Sequence, residues 1–186
     1  MEQVLSRLMI SGLSAAATLF GQSSPAAPPA AAAANPVVWS AQQLYARESK
    51  NMLAAAEEMP EGKYSYHPTA DQWTFAKLIS HVAQSNGSLC SALSDTPAPA
   101  TVKVADTASK AELTAALKAS FDFCGPVLDN LHDAKLGDTV TLFRGARMPR
   151  AAALMTLNVD LADHYSQLAG YLRLNGMLPP SAQPKK

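Results

Sequence analysis

Along most of the chain, apolar residues recur every three or four positions, which places them on one face of an α-helix. Four segments show this spacing, at about residues 36–59, 72–93, 109–131 and 147–175, and a start near Pro149 is the alternative for the last one. The one β-prone stretch, at residues 139–142, stands alone, so we expect a loop or a short extended piece there. Four amphipathic helices without a convincing sheet predict an all-α, four-helix bundle over residues 36–181.

Residues at the predicted helix boundaries are of types common at helix ends. Asp71 is positioned to cap the second helix, and Ser109 with Glu112 three residues later has the sequence of a capping box for the third. Pro126 lies inside the third segment, where it predicts a kink or break because proline lacks a backbone N–H. Gly176, followed closely by two prolines, is expected to end the last helix, and residues 182–186 are expected to form a disordered tail.

The first 24 residues have features of a signal peptide. A short polar start with one arginine precedes an uncharged, mostly apolar run at residues 8–20, which is too short to cross a bilayer as a helix. Residues 25–35 form a Pro/Ala-rich linker. We expect cleavage and export, to the periplasm or as a secreted protein, with no stable membrane insertion afterwards. A buried N-terminal helix or an uncleaved membrane anchor is the alternative interpretation.

Composition argues against nucleic acid as a partner and indicates a disulfide. The chain has 186 residues, 16% of them charged, and a formal net charge of +0, and no basic run stands out. Nucleic-acid binding normally requires clustered Lys and Arg, so nucleic acid is not an expected partner. The two cysteines are Cys90 and Cys124. In an exported protein we expect them to form a disulfide, whereas in the cytosol they would be small buried residues.

Two ionisable residues interrupt the apolar face of the last predicted helix. Asp160 and His164 are four positions apart on that face, and His81 lies in the middle of the second predicted helix. A buried unpaired carboxylate is costly, and a divalent ion bound by two imidazoles and one carboxylate would satisfy all three groups. Such a set suits Zn²⁺, Ni²⁺, Fe²⁺ or Mn²⁺ and leaves coordination positions open. A metal-free Asp–His hydrogen-bond pair explains the same spacing.

Three further polar residues are candidates to support this site. Tyr165 and Gln167 flank His164 in sequence, where they are positioned to orient the ligands or a substrate. Ordinary contact at the helix surface is the alternative for both. Glu48 shares a helix face with apolar neighbours and is a candidate to approach the site, although a solvated glutamate fits the pattern as well.

Two runs of the sequence resemble the DinB family. The run WTFAKLISHVAQSN at residues 73–86 resembles the second helix of DinB-like proteins with its ligand histidine. The run DHYSQLAGYLRLNGMLPPS at residues 163–181 resembles their last helix and its exit. The upstream segment MPEGKYSYHPTADQWTF also looks like their connection between the first two helices. The resemblance covers most of residues 36–181 and implies a DinB-like four-helix bundle.

The resemblance also implies a metal site and a class of reaction. The usual metal ligands of the family are three histidines, one in the second helix and two, four apart, in the last. These positions correspond to His81, Asp160 and His164, so this chain departs from the pattern at the middle one. Members with known activity are mostly thiol transferases or isomerases that use a low-molecular-weight thiol, and such a cytosolic cofactor fits an exported protein poorly.

Two functions follow from these expectations. The first is a divalent-metal-dependent enzyme, of hydrolase or thiol-transferase type, acting on a small-molecule substrate that the sequence does not identify. The second is a non-catalytic helical binding or structural module, in which His81, Asp160 and His164 form a buried hydrogen-bond network. A homodimer is compatible with either function.

Overall fold

The computed structural model describes residues 29–184, and most of this range is helical. The helices are α1 (Ala30–Ala34), α2 (Pro36–Glu58), α3 (Phe75–Ser94), α4 (Lys110–Asp129) and α5 (Arg150–Leu174). Two short strands, β1 (Thr139–Thr141) and β2 (Arg147–Pro149), lie between α4 and α5. The four long helices pack together, which confirms the predicted four-helix bundle. The largest side chains in its core include Phe75, Met52, Met59, Leu78, Ile79, Leu117, Leu157 and Leu161.

Helices α3 and α5 are antiparallel neighbours. At one end, the Arg150 guanidinium at the start of α5 donates to the carbonyl of Leu93 near the end of α3. At the other end, the Tyr171 hydroxyl near the end of α5 donates to the carbonyl of Trp73, just before α3, at 2.9 Å. The middle of α5 therefore lies beside the middle of α3.

Helices α3 and α4 run in the same direction and are covalently joined. Cys90 and Cys124 form a disulfide, and both residues are fully buried. One turn earlier on each helix, the side-chain amide of Asn86 donates to the hydroxyl of Ser120 at 3.1 Å. The two contacts advance by four residues along both helices, as parallel packing requires. The disulfide therefore cross-links neighbouring helices inside the core.

Helix α3 begins later than its apolar pattern predicts. The sequence favours Asp71 as the N-cap, but the residue in that position is Thr74, whose hydroxyl accepts a backbone hydrogen bond from the first turn. The prediction of Asp71 is wrong because the first two N–H groups of α3 bond to carbonyls of residues 64 and 66, which holds the preceding chain outside the helix. The capping box of Ser109 and Glu112 is present on α4, as predicted.

The last helix begins at Arg150, after two short strands. The sequence pattern favours a start at Arg147 or near Pro149, and the structure has the later of the two. The short extended piece expected at residues 139–142 is strand β1, and the alternative of a loop there is wrong. Strands β1 and β2 pair antiparallel, with buried Val140 opposite Met148. The turn between them contains two residues with positive φ. This turn lets the β-prone segment pair with residues that the helical spacing assigns to α5.

Pro126 lies in the last turn of α4, which ends at Asp129. The predicted break is therefore the end of the helix itself, three residues after the proline. Both the backbone N–H and the side-chain amide of Asn130 donate to the carbonyl of Pro126, at 3.2 and 2.7 Å. These bonds satisfy a carbonyl that the end of the helix leaves free.

The ends of the described range add contacts to the bundle. The predicted signal peptide lies outside the described residues, and the described part of the predicted linker contains α1. At the other end, residues 180–182 form a 3₁₀ turn, and the side-chain amide of Gln183 donates to Glu58 at the end of α2. No helix within residues 29–184 is both long and apolar enough to cross a membrane.

Candidate metal centre

Three ionisable side chains converge between α3 and α5. His81 lies on the second turn of α3, and Asp160 and His164 lie one turn apart in the middle of α5. Antiparallel packing of the two helices places these turns side by side. One nitrogen or oxygen atom from each residue lies within 4.8 Å of the corresponding atoms of the other two. The structure thus brings together the three residues that their spacing singles out in the sequence.

The carboxylate of Asp160 lies between the two imidazoles. Its Oδ1 is 3.7 Å from Nε2 of His81 and 3.4 Å from Nε2 of His164. Both distances exceed the roughly 2.7–3.2 Å of a good N–H···O hydrogen bond. The second oxygen, Oδ2, is buried and has no hydrogen-bond partner among the described residues. Protein groups therefore leave this carboxylate incompletely satisfied.

The surroundings of Asp160 favour its charged form. Burial alone would raise the pKa of this carboxyl, but His164, His81 and the Ser85 hydroxyl together hold it well below its ordinary value. Ser85 is one helical turn beyond His81 and is itself buried. At neutral pH Asp160 is therefore an anion that can accept a cation without first losing a proton.

Gln167 contacts a histidine of the cluster. Nε2 of His164 faces Asp160, and the side-chain amide of Gln167 lies 3.4 Å from the other ring nitrogen, Nδ1. The same amide donates to the carboxylate of Asp163 at 3.1 Å. A polar group at Nδ1 constrains both the ring orientation and the choice of nitrogen that faces the cluster. Gln167 is thus placed to orient His164.

Tyr165 and Glu48, the other two supporting candidates, contribute no atom to the three-residue group. The Tyr165 hydroxyl accepts a hydrogen bond from the backbone N–H of Ser181 at 2.9 Å, which ties the C-terminal segment to α5. Glu48 is 5% exposed, so the alternative of a solvated glutamate is wrong. Its Oε1 accepts from Nε of Arg47 at 2.7 Å, while its Oε2 is buried without a partner among the described residues.

Trp73 covers both histidines, a role that its place in the apolar pattern did not indicate. Its ring centroid lies 5.0 Å from that of His81 and 6.0 Å from that of His164. Sequence spacing assigns Trp73 to the apolar face of a helix, but the residue precedes α3 and is 42% exposed. Its position depends on the preceding connection, whose course the apolar pattern does not predict. The only sequence signal was its spacing of eight residues from His81.

The site is open to solvent on one side. The side chain of His81 is 35% exposed, that of Asp160 20% and that of His164 9%. The cluster therefore extends from the core, where His164 lies, to the surface beside His81 and Trp73. A small molecule can approach the three side chains from the side of His81.

Comparison with known proteins identifies the family of this helical bundle. The family model of the DinB superfamily matches residues 44–168, more than half of the chain, and the chain belongs to that superfamily. The crystal structure of a DinB-like protein from Bacillus cereus ATCC 10987 is similar, with a TM-score of 0.58 and 18% sequence identity. That similarity covers 74% of this chain and 92% of the other and shows the fold alone. No curated protein matches in sequence.

Proposed function

We propose that His81, Asp160 and His164 bind one divalent metal ion, and that the protein is a metal-dependent enzyme of hydrolase or thiol-transferase type. The observation that carries this proposal is the position of Oδ1 of Asp160, 3.7 and 3.4 Å from the two imidazole nitrogens. Ligands that share one ion at about 2.0–2.2 Å lie about 3.3–3.6 Å apart in a tetrahedral site. The two separations from Asp160 are close to that spacing, and all three candidate ligand atoms lie within 4.8 Å of one another, so the residues suit one ion.

The alternative is a non-catalytic module in which these three residues form a hydrogen-bond network. The contacts support it less well, because the two nitrogen–oxygen distances are long for hydrogen bonds. A network would also leave Oδ2 of Asp160 buried without a partner among the described residues. Such an orphaned polar group costs about 1–3 kcal/mol, and more when it is charged. A bound cation would remove most of that cost.

The ligand set and the shape of the site define what this chain contributes to a reaction. Two imidazoles and one carboxylate suit Zn²⁺, Ni²⁺, Fe²⁺ or Mn²⁺, and the ion would act as a Lewis acid toward water or a thiol. Gln167 orients His164, and Trp73 shields the two rings from solvent on one side. The exposed side of His81 leaves room for a small-molecule substrate.

Elemental analysis of reconstituted protein tests the metal site. Wild-type protein is expected to retain about one equivalent of ion after dialysis, and the His81→Ala variant is expected to lose it. The matched control is His132→Ala, which removes an exposed histidine outside the cluster and should retain the ion. Wild-type protein without stoichiometric metal, together with a His81→Ala variant of unchanged melting temperature, would contradict the proposal.

We also propose that the protein is exported, to the periplasm or beyond the cell. The buried disulfide of Cys90 and Cys124 supports this, because disulfides persist in oxidising compartments and are rare in the cytosol. An exported location favours hydrolysis over transfer to a cytosolic thiol. N-terminal sequencing of the mature protein is expected to find a start near residue 25. Intact Met1 in a cytosolic fraction would contradict export.

A further inference from the structure

The indole of Trp73 and the ammonium group of Lys77 lie on the same side of the bundle as His81, the exposed histidine of the site. Trp73, Lys77 and His81 follow each other at intervals of four residues, on one side of the start of α3. The Nζ atom of Lys77 lies 5.7 Å from the centroid of the Trp73 ring, and that ring lies 5.0 Å from the ring of His81. These contacts form a continuous surface from a positive charge to a proposed metal ligand.

This surface is accessible. The side chain of Lys77 is 43% exposed, close to the exposures of Trp73 and of the His81 side chain. The indole of Trp73 is therefore open to a ligand at the side of the cluster where His81 is exposed. Binding sites for small molecules typically combine such an aromatic surface with a few polar groups that fix orientation.

Lys77 forms only a weak ion pair in the free protein. Its Nζ lies 3.5 Å from the carboxylate of Asp106, and both side chains are well exposed. Exposed ion pairs of this kind contribute little to stability, because water and salt screen them. Lys77 can therefore exchange Asp106 for the carboxylate of a ligand at little cost.

We infer that Trp73 and Lys77 form a substrate subsite that selects an aromatic carboxylate. The ring of the ligand packs against the Trp73 indole, its carboxylate pairs with Lys77, and its reacting group reaches the ion held by His81, Asp160 and His164. Aromatic rings stack favourably on an indole, and an ammonium attracts a carboxylate. The subsite rests on the proposed metal function and adds to it a class of substrate.

Three hydroxamic acids test the subsite because they share one metal-binding group. Acetohydroxamate has no ring, benzohydroxamate adds the ring, and 4-carboxybenzohydroxamate adds a carboxylate. Calorimetric titration of zinc-loaded wild-type protein is expected to show affinity that rises about three- to tenfold with the ring. The carboxylate is expected to add a further increase of about two- to fivefold.

Variants separate the two contributions. Trp73→Leu is expected to abolish the gain from the ring and Trp73→Phe to retain most of it, where the gain is the ratio of the affinities for benzohydroxamate and acetohydroxamate in the same variant. Lys77→Gln is expected to abolish only the gain from the carboxylate. The matched controls are Trp39→Leu and Lys118→Gln, which change the other tryptophan and an exposed lysine on α4. Both controls should leave all three affinities unchanged.

The outcomes distinguish the subsite from the metal site, because the zinc content of every variant is measured alongside the titrations. Wild-type protein that takes up no ion overturns the proposed function, and the subsite with it. Zinc-loaded wild-type protein that binds the three probes equally well overturns the subsite alone. The subsite is also overturned if Lys77→Gln weakens all three probes by the same factor.

Discussion

The indole of Trp73 stacks on the imidazole of His164, with ring planes inclined by 21°. Trp73 lies just before α3 and His164 in the middle of α5, so the contact joins segments that are far apart in the chain. Since Asp160 approaches Nε2 of the same imidazole, an ion bound there would lie close to the indole. Trp73 is therefore a natural optical reporter of metal binding.

Tryptophan fluorescence should follow the binding of a paramagnetic ion. The chain has two tryptophans, so Trp39→Phe leaves Trp73 as the only one. Titrating this variant with Ni²⁺ or Co²⁺ is expected to quench its emission and to saturate at one equivalent. Adding His164→Ala is expected to abolish the saturable quenching, and adding His67→Ala, at an exposed position, is expected to preserve it. Saturable quenching that survives the loss of His164 would contradict the assigned ligands.

Replacing Asp160 should change both the affinity and the choice of ion. Asp160→Ala is expected to weaken binding by more than the roughly 10–100-fold typical of residues that only support a ligand. Asp160→His is expected to retain Zn²⁺ and Ni²⁺ but to lose affinity for Mn²⁺, because it exchanges a hard anionic oxygen for a neutral nitrogen. Competition with a fluorescent chelator measures both effects. Unchanged affinity in Asp160→Ala would exclude this carboxylate as a ligand.

Asp160 and His164 were predictable as a pair because they are four residues apart on one helix, and the resemblance to the DinB family supported His81 of α3 as the third ligand. His81, Asp160 and His164 each lie on a mostly apolar helix face, where an ionisable side chain needs a partner. The capping box of Ser109 and Glu112 was predictable for the same reason, since its hydrogen bonds span only three residues. Contacts within one helix follow from sequence spacing alone.

Features that depend on distant contacts were not predictable in this way. The position of Trp73 is tied to α5 by the hydrogen bond from Tyr171 to its carbonyl. The start of α5 at Arg150 depends on the pairing of β1 with β2, which removes three residues from the helical pattern. Glu48 is buried by helices packed around α2. Apolar spacing along one segment contains none of this information.

Gly87 marks a tight approach between α3 and the connection that follows it. A Cβ atom at this position would lie 2.8 Å from Cγ2 of Val102 and 3.2 Å from Cβ of Ala98. Gly87→Ala is therefore expected to lower the free energy of unfolding by about 1–3 kcal/mol. Gly125→Ala and Gly170→Ala, with nothing within 4 Å, should instead raise it by up to about 1 kcal/mol. Urea unfolding compares the three variants, and equal effects would show that Gly87 is not specially constrained.

Loss of the disulfide should destabilise the bundle substantially. Cys90 and Cys124 close a loop with a sequence separation of 34. The chain-entropy model gives a stabilisation of about 3–4 kcal/mol for such a loop. The double variant Cys90→Ala/Cys124→Ala is expected to lose about that much in urea unfolding. Reductant should destabilise wild-type protein and leave the double variant unaffected, and a loss below about 1 kcal/mol would argue against the bond.

The Tyr64 hydroxyl supplies a hydrogen-bond donor where a proline lacks a backbone N–H. Its hydroxyl donates to the carbonyl of Ala56 at 2.7 Å, and the residue four positions after Ala56 is Pro60, which has no N–H to donate. Burial, opposed by the Thr114 hydroxyl, raises the pKa of Tyr64 from 10.0 to about 12. The folded protein therefore holds the phenolic proton more tightly than the unfolded chain does.

This difference predicts a specific loss of stability in alkali. A group whose pKa is raised on folding stabilises the protein fully at any pH below the pKa that the group has in the unfolded chain. The stabilisation from Tyr64 is therefore present up to about pH 10 and is lost as the pH approaches 12. Tyr64→Phe is expected to be less stable at neutral pH by about 1–3 kcal/mol, because the Ala56 carbonyl loses its donor. Its stability should then fall less steeply than that of wild-type protein between pH 10 and 12. Burial also raises the pKa of Tyr45, so some decline is expected to persist in the variant. Parallel declines in the two proteins, measured by urea unfolding across this range, would show that Tyr64 does not titrate with folding.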